Sequence, residues 1–119
     1  MHEIIFYRDK RGKEPVYDYL KDLQKDNSKD GRIRFNKAND YIQALSCYGT
    51  NLGDNYFKHL DGDIWELRPV GDRILFAAWV NGSFVLLHHF KKKTQKTPRR
   101  EIEKAKRELE DFIERSSYE

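Results

Sequence analysis

RILFAAWVNGSFVLLHHF, residues 73–90, is the stretch that decides the fold. Two runs rich in aliphatic and aromatic residues, Arg73 to Val80 and Phe84 to Phe90, flank Asn81-Gly82. That dipeptide tolerates positive φ and favours a two-residue turn between antiparallel strands. A turn there sets Val80 opposite Ser83, Phe76 opposite Leu87, Leu75 opposite His88 and Arg73 opposite Phe90. Upstream, IWELR (64–68) reads as another strand. If Pro69 to Asp72 is a four-residue loop, Arg68 lies opposite Arg73 and Glu66 opposite Leu75. Side chains alternate along a strand, so Glu66, Arg68, Arg73 and His88 come to share one surface. Trp65, Leu67, Ile74, Phe76, Ala78, Val85 and Leu87 collect on the other, an apolar face for helices to cover. His89 points away from His88, toward that core or its rim.

Working outward, Tyr56 to Leu60 reads as a short edge strand after a Gly/Asn-rich loop, Thr50 to Asn55, and EIIFY (3–7) as an N-terminal strand. Pro15 suits the first position of a helix that ends near Asp26, with Val16, Tyr19, Leu20 and Leu23 on one side. Ser28 caps a second helix carrying Ile33, Ala38, Tyr41, Ile42, Leu45 and Tyr48, which Gly49 stops. So short a link predicts an antiparallel helical hairpin. Thr97-Pro98 supplies a cap and a first-turn proline to a last helix, with Ile102, Ala105, Leu109, Phe112 and Ile113 on one face. The expected architecture is α+β, one domain over residues 1–119. It has a small antiparallel sheet with an N-terminal strand, a helical hairpin on one face and a C-terminal helix.

Composition fits a packed chain: 38% of residues are hydrophobic and 36% charged, with 2 Trp, 7 Tyr and 7 Phe, too much packing material for a disordered segment. The formal net charge of +3 is mild, but its distribution is uneven. His88 to Arg100 holds six Lys or Arg and no acid, whereas Glu101 to Glu119 holds seven acids against four bases. A concentrated basic stripe neutralises phosphates even in a nearly balanced chain. The lone Cys47 forms no internal disulfide and sits on a helical apolar stripe, so packing is its expected role. No apolar run is long enough for a membrane span or signal peptide, which makes the cytoplasm the expected compartment. His2 and His59 lack partners at metal-ligand spacing, and dinucleotide, Walker and GxSxG motifs are absent; no metal or cofactor is expected.

The segments IWELRP, DRILFAAWV, FVLLHHFKKKTQKTP and EIEKA resemble the RelE/ParE toxin superfamily, specifically its phage-derived HigB-like branch, over roughly Ile4 to Phe112. One departure is visible: this branch commonly has Gly after the histidine, where His89 stands here. The resemblance implies a RelE-like fold and a toxin that enters the ribosomal A site and cuts mRNA. It further implies neutralisation by a helix-turn-helix, HigA-like antitoxin. It places Arg73 in the position of the catalytic arginine of RelE, and Lys58 and the lysines after Phe90 in comparable regions. RelE's catalytic tyrosine has no clear counterpart. Cutting RNA without a metal requires the 2′-hydroxyl to lose a proton, the phosphorane to be stabilised and the leaving oxygen to be protonated. In that scheme Arg73 and Arg68 clamp the phosphate. His88, an imidazole, transfers protons, and Glu66 orients it or acts as a base. Lys58, Lys91, Lys92, Lys93 and Lys96 bind flanking phosphates or ribosomal RNA. Two rivals remain: a ParE-type toxin that poisons gyrase and needs no nuclease site, and a non-enzymatic RNA-binding module.

Overall fold

The computed structural model of the chain describes residues 1–51, 53 and 55–116; the Leu52 and Asp54 positions of the expected loop and the last three residues of the acidic segment lie outside them. Its strands are β1 (Ile4–Phe6), β2 (Phe57–Asp61), β3 (Ile64–Leu67), β4 (Asp72–Ala78) and β5 (Phe84–Lys91), and its helices α1 (Pro15–Lys25), α2 (Lys29–Tyr48) and α3 (Arg99–Ser116). Spatial order across the sheet is β1-β5-β4-β3-β2. The last four strands form the expected antiparallel meander. β1 joins it beside β5 in parallel, Ile4 opposite Phe84, so the sheet is mixed.

The Asn81-Gly82 turn forms as its residues dictate. Both have positive φ, 57° and 74°, and the Ser83 N–H donates to the Val80 carbonyl at 3.1 Å. Leu75 faces His88, Arg73 faces Phe90 and Glu66 faces Leu75, as the turn and loop lengths predict. Nearer the turn the register slips: Phe76 faces Leu86 where Leu87 was expected, and the Ser83 carbonyl accepts from the Trp79 N–H at 2.8 Å where Val80 was the expected partner. The slip is a bulge at Leu87, and one extra residue reverses the alternation for everything between it and the turn. Phe84 and Leu86 therefore join the hairpin-side core, while Val85 and Leu87 pack on the other face. Ala78, also expected in the core, is exposed.

The sheet consequently has two apolar faces. On one, Val16, Tyr19 and Leu23 of α1 and Ala38, Ile42 and Leu45 of α2 bury Leu67, Ile74, Phe76 and Leu86. On the other, Ala105 and Leu109 of α3 bury Ile64, Leu75, Ala77, Val85 and Leu87. Each fully buried Leu, Ile or Phe contributes about 1.5–3 kcal/mol, so α3 gains strongly from lying on the face that was expected to be polar. Pro15 opens α1, and the Ser28 hydroxyl accepts from the Gly31 N–H at 3.0 Å to cap α2. Thr97 does not cap α3: the helix begins at Arg99 and the threonine hydroxyl is used elsewhere. Cys47 is exposed rather than packed, and so are Ile33, Tyr48 and Ile113 of the expected apolar faces. The Tyr7 hydroxyl donates to Asp111 at 2.6 Å, fastening the far end of α3 to the chain beyond β1. Among the described residues, no helix is long and apolar enough to cross a membrane.

Candidate nucleic-acid site

The site is built around Glu66 on β3. Alternation along the strand turns its side chain to the α3 face, beside the first turn of that helix, and only 3% of the residue is exposed. A carboxylate so placed needs partners. The Thr97 hydroxyl donates to its Oε1, and the Nε atoms of Arg68 and Arg73 lie 3.7 and 3.8 Å from Oε2. Arg73 is itself largely buried. Its Nη1 donates to the carbonyls of Asp72 (2.7 Å) and Pro69 (3.2 Å), so the guanidinium is tied to the loop that precedes its own strand. Burial, with Arg68 close by, lowers its pKa below the ordinary arginine value, and a guanidinium still remains charged. Arg68 keeps about a third of its side chain in solvent.

Behind Arg73, on the opposite face of the sheet, Asp72 has no exposed surface. Arg34 of α2 grips it through both oxygens, Nε to Oδ2 at 2.9 Å and Nη2 to Oδ1 at 2.8 Å. Helix α2 thereby fixes the residue whose carbonyl holds the Arg73 guanidinium. The neighbouring Tyr19 hydroxyl is pushed well above its usual pKa by burial and by the Asp72 carboxylate. Sequence reasoning missed this pair, and it missed Thr97 as a partner of Glu66.

The four residues expected to share a surface do share a face, yet His88 is separated from the rest. It lies under α3, 2% exposed, with Nδ1 bonded to Glu108 and Nε2 3.2 Å from Glu101. Its carboxylate partners come from α3, and Glu66 is not one of them. Glu101 and Glu108 are spaced i, i+7 beside the Ile102, Ala105 and Leu109 stripe, a signal that a histidine under this helix could have been matched to. His89 takes the other side as expected and stacks on Tyr19, ring centroids 3.6 Å apart. Burial lowers its pKa to about 4.

Two hollows meet at Arg68. The first, about 560 Å³, is lined by Lys58, Glu66, Arg68, Lys96, Thr97 and Arg99 among others. Arg99 is occupied by Asp61 and Glu103, whereas Lys58 and Lys96 form no ion pair with a described residue. His59 reaches its rim, but the ring packs on Trp65 and Nε2 lies 2.7 Å from the Gly62 carbonyl. The second hollow, about 330 Å³, is lined by Asn55, Arg68, Val70, Gly71, Arg73 and Lys92. Lys91 and Lys93 line a separate, smaller hollow with Phe90 and Arg100. Lys58 and Lys96 thus share a hollow with Glu66, whereas Lys91, Lys92 and Lys93 line two others, so the expected cations are not one continuous stripe. Among the described residues, no group of three or more His, Cys, Asp or Glu side chains is placed to hold a metal ion. The arrangement offers guanidinium forks for phosphate oxygens, a carboxylate between them and the ammonium groups of Lys58 and Lys96 in the same hollow.

No curated protein matches the chain significantly. The family model described as Phage derived protein Gp49-like (DUF891) matches residues 18–110, from within α1 to within α3. With most of the chain matched, strands β2 to β5 and the site included, this protein belongs to the phage-derived Gp49-like family, a toxin-like group related to the RelE/HigB-type toxins.

Proposed function

We propose that this chain is the toxin of a type II toxin–antitoxin pair. It acts in the cytoplasm, cuts mRNA on the ribosome without a metal, and is neutralised by a helix-turn-helix antitoxin of the HigA kind. The observation that carries the reading is Glu66 set between two guanidinium groups in the wall of a cleft that Lys58 and Lys96 also line. In the reaction, the ribose 2′-oxygen attacks the adjacent phosphorus as Glu66 takes its proton. Arg68 and Arg73 hold the equatorial oxygens of the phosphorane, where their charge acts most strongly. The bond from phosphorus to the 5′-oxygen then breaks, and the Lys58 ammonium, on the residue paired with Glu66 across β2 and β3, protonates the leaving oxygen. The products are a 2′,3′-cyclic phosphate and a 5′-hydroxyl. His88, buried and already bonded on both nitrogens, has no step in this scheme.

The test is a reconstituted translation reaction with programmed ribosomes, in the presence of a chelator, with mRNA ends mapped by primer extension. Wild-type protein is expected to produce new ends within the ribosome-covered codons, and Arg68→Ala to lower their yield about 10²-fold. No new ends on translating ribosomes overturns the nuclease reading. The burial of His88 favours one alternative, a module that binds ribosomal or messenger RNA without cutting it. That alternative predicts salt-sensitive retention of the protein on ribosomes with mRNA left intact.

A further inference from the structure

Two hollows share Arg68. The first holds Glu66 and is lined by charged and polar side chains together with Leu60 and Ile102. The second places an apolar side chain, Val70, among Arg68, Arg73 and Lys92, with Asn55 also in its lining. Val70 is 63% exposed, although the loop that carries it is firmly held. The Asp72 N–H donates to the Pro69 carbonyl at 3.1 Å, the Lys92 N–H to the Gly71 carbonyl at 3.0 Å, and Arg73 Nη1 to the Pro69 carbonyl at 3.2 Å. A fixed loop that keeps a branched aliphatic group in water between cations is organised for a ligand that is both flat and apolar on its face and anionic on its flank. Next to Val70, Gly71 has φ +80° and nothing within 4 Å of where a Cβ would stand, which leaves the crest of the loop clear for such a group.

We propose that this hollow is a nucleobase subsite for the nucleotide adjoining the bond that is cut. The inference rests on the RNA-cutting reading above and adds selectivity to it. The base lies against Val70 and the plane of the Arg68 guanidinium, and its phosphate faces Lys92. Asn55, whose carboxamide offers a donor and an acceptor side by side, reads the edge of the base. Because Arg68 forms a wall of both hollows, a base seated in the second leaves its neighbouring phosphate beside Glu66 in the first.

The experiment uses the full chain on programmed ribosomes, with the nucleotides on either side of the cut varied through all four bases. Wild type is expected to favour one base over the least favoured by about tenfold at one of these positions. Asn55→Ala should reduce that preference to about twofold, and Val70→Ser should lower cutting of all four by several-fold. Both side chains are exposed, so neither variant is expected to unfold, which thermal melting checks. Robust cutting by wild type with no base preference, or a preference that survives in Asn55→Ala, overturns the subsite while leaving the nuclease reading intact. Should wild type cut nothing, the nuclease reading fails, and the subsite is judged by photocrosslinking a short 4-thiouridine RNA to the protein. Crosslinks on the peptides carrying Asn55 and Val70 support it; crosslinks confined to other peptides overturn it.

Discussion

One face of the sheet carries two charged clusters with opposite fates. On β5, two carboxylates of α3 enclose the His88 imidazole and leave it 2% exposed. Level with it and two strands away on β3, two guanidinium groups flank the Glu66 carboxylate, and the cluster opens into a cleft. Both are mixtures of acid and base within hydrogen-bonding or ion-pairing range, so residue type alone does not separate a site from a structural lock. Cover does. α3 begins at Arg99, after the chain has passed Glu66 and left Thr97 bonded to it, so the helix closes over His88 and leaves Arg68 in reach of solvent. A buried ion pair is weak evidence for anything but its own dependence on both partners.

The largest effect is expected from a third cluster, on the opposite face. Arg34→Met strands Asp72, which has no exposed surface, and should cost about 4 kcal/mol in urea unfolding. An unfolding midpoint equal to wild type would show that the pair does not anchor the β3–β4 loop. His88→Ala removes the shared partner of Glu101 and Glu108 and should cost about 3 kcal/mol. Cleavage by the folded fraction should change little. If stability holds and cleavage drops about 10²-fold, the contrast drawn above is inverted and His88 performs chemistry. Arg68→Ala is the mirror image: stability within about 1 kcal/mol of wild type, as for a half-solvated ion pair, and a cleavage loss equivalent to roughly 2.7 kcal/mol of barrier. A smaller effect comes from His89. Its pKa is lowered from 6.5 to about 4 by burial, so between those values the unfolded chain binds a proton that the folded chain refuses. Stability is therefore fully present above about 6.5 and falls as pH drops toward 4, by about 2 kcal/mol after allowance for partial exposure. His89→Phe, which keeps the stack on Tyr19, should flatten that part of the pH–stability curve measured by thermal melting.

Much of this frame is legible in the residues. Asn81-Gly82 and the four-residue loop at Pro69 to Asp72 give the pairings of Leu75 with His88 and Glu66 with Leu75, and Pro15 and Ser28 mark both helix starts. The bulge at Leu87 leaves no trace, because Leu86 and Leu87 are both apolar and either can face either core. Helical phase, by contrast, was readable for two residues misplaced above. At about 100° per residue, Ile33 lies about 140° from Ala38 and Cys47 about 160° from Leu45, which puts both on the solvent side. The division between site and lock is set by tertiary cover. Nothing periodic links Arg34 to Asp72 across 38 positions, or tells a strand histidine that a later helix will bring it two glutamates.

The parallel seat of β1 carries a consequence for how the protein is made. Ile4 to Phe6 pairs with Phe84 to Leu86, so β1 must wait about 80 residues of synthesis for its mate. With Tyr7 likewise held for Asp111 in α3, this part of the fold cannot close until Asp111 has emerged. A chain assembled in this order stays unformed on the very ribosome that is producing it.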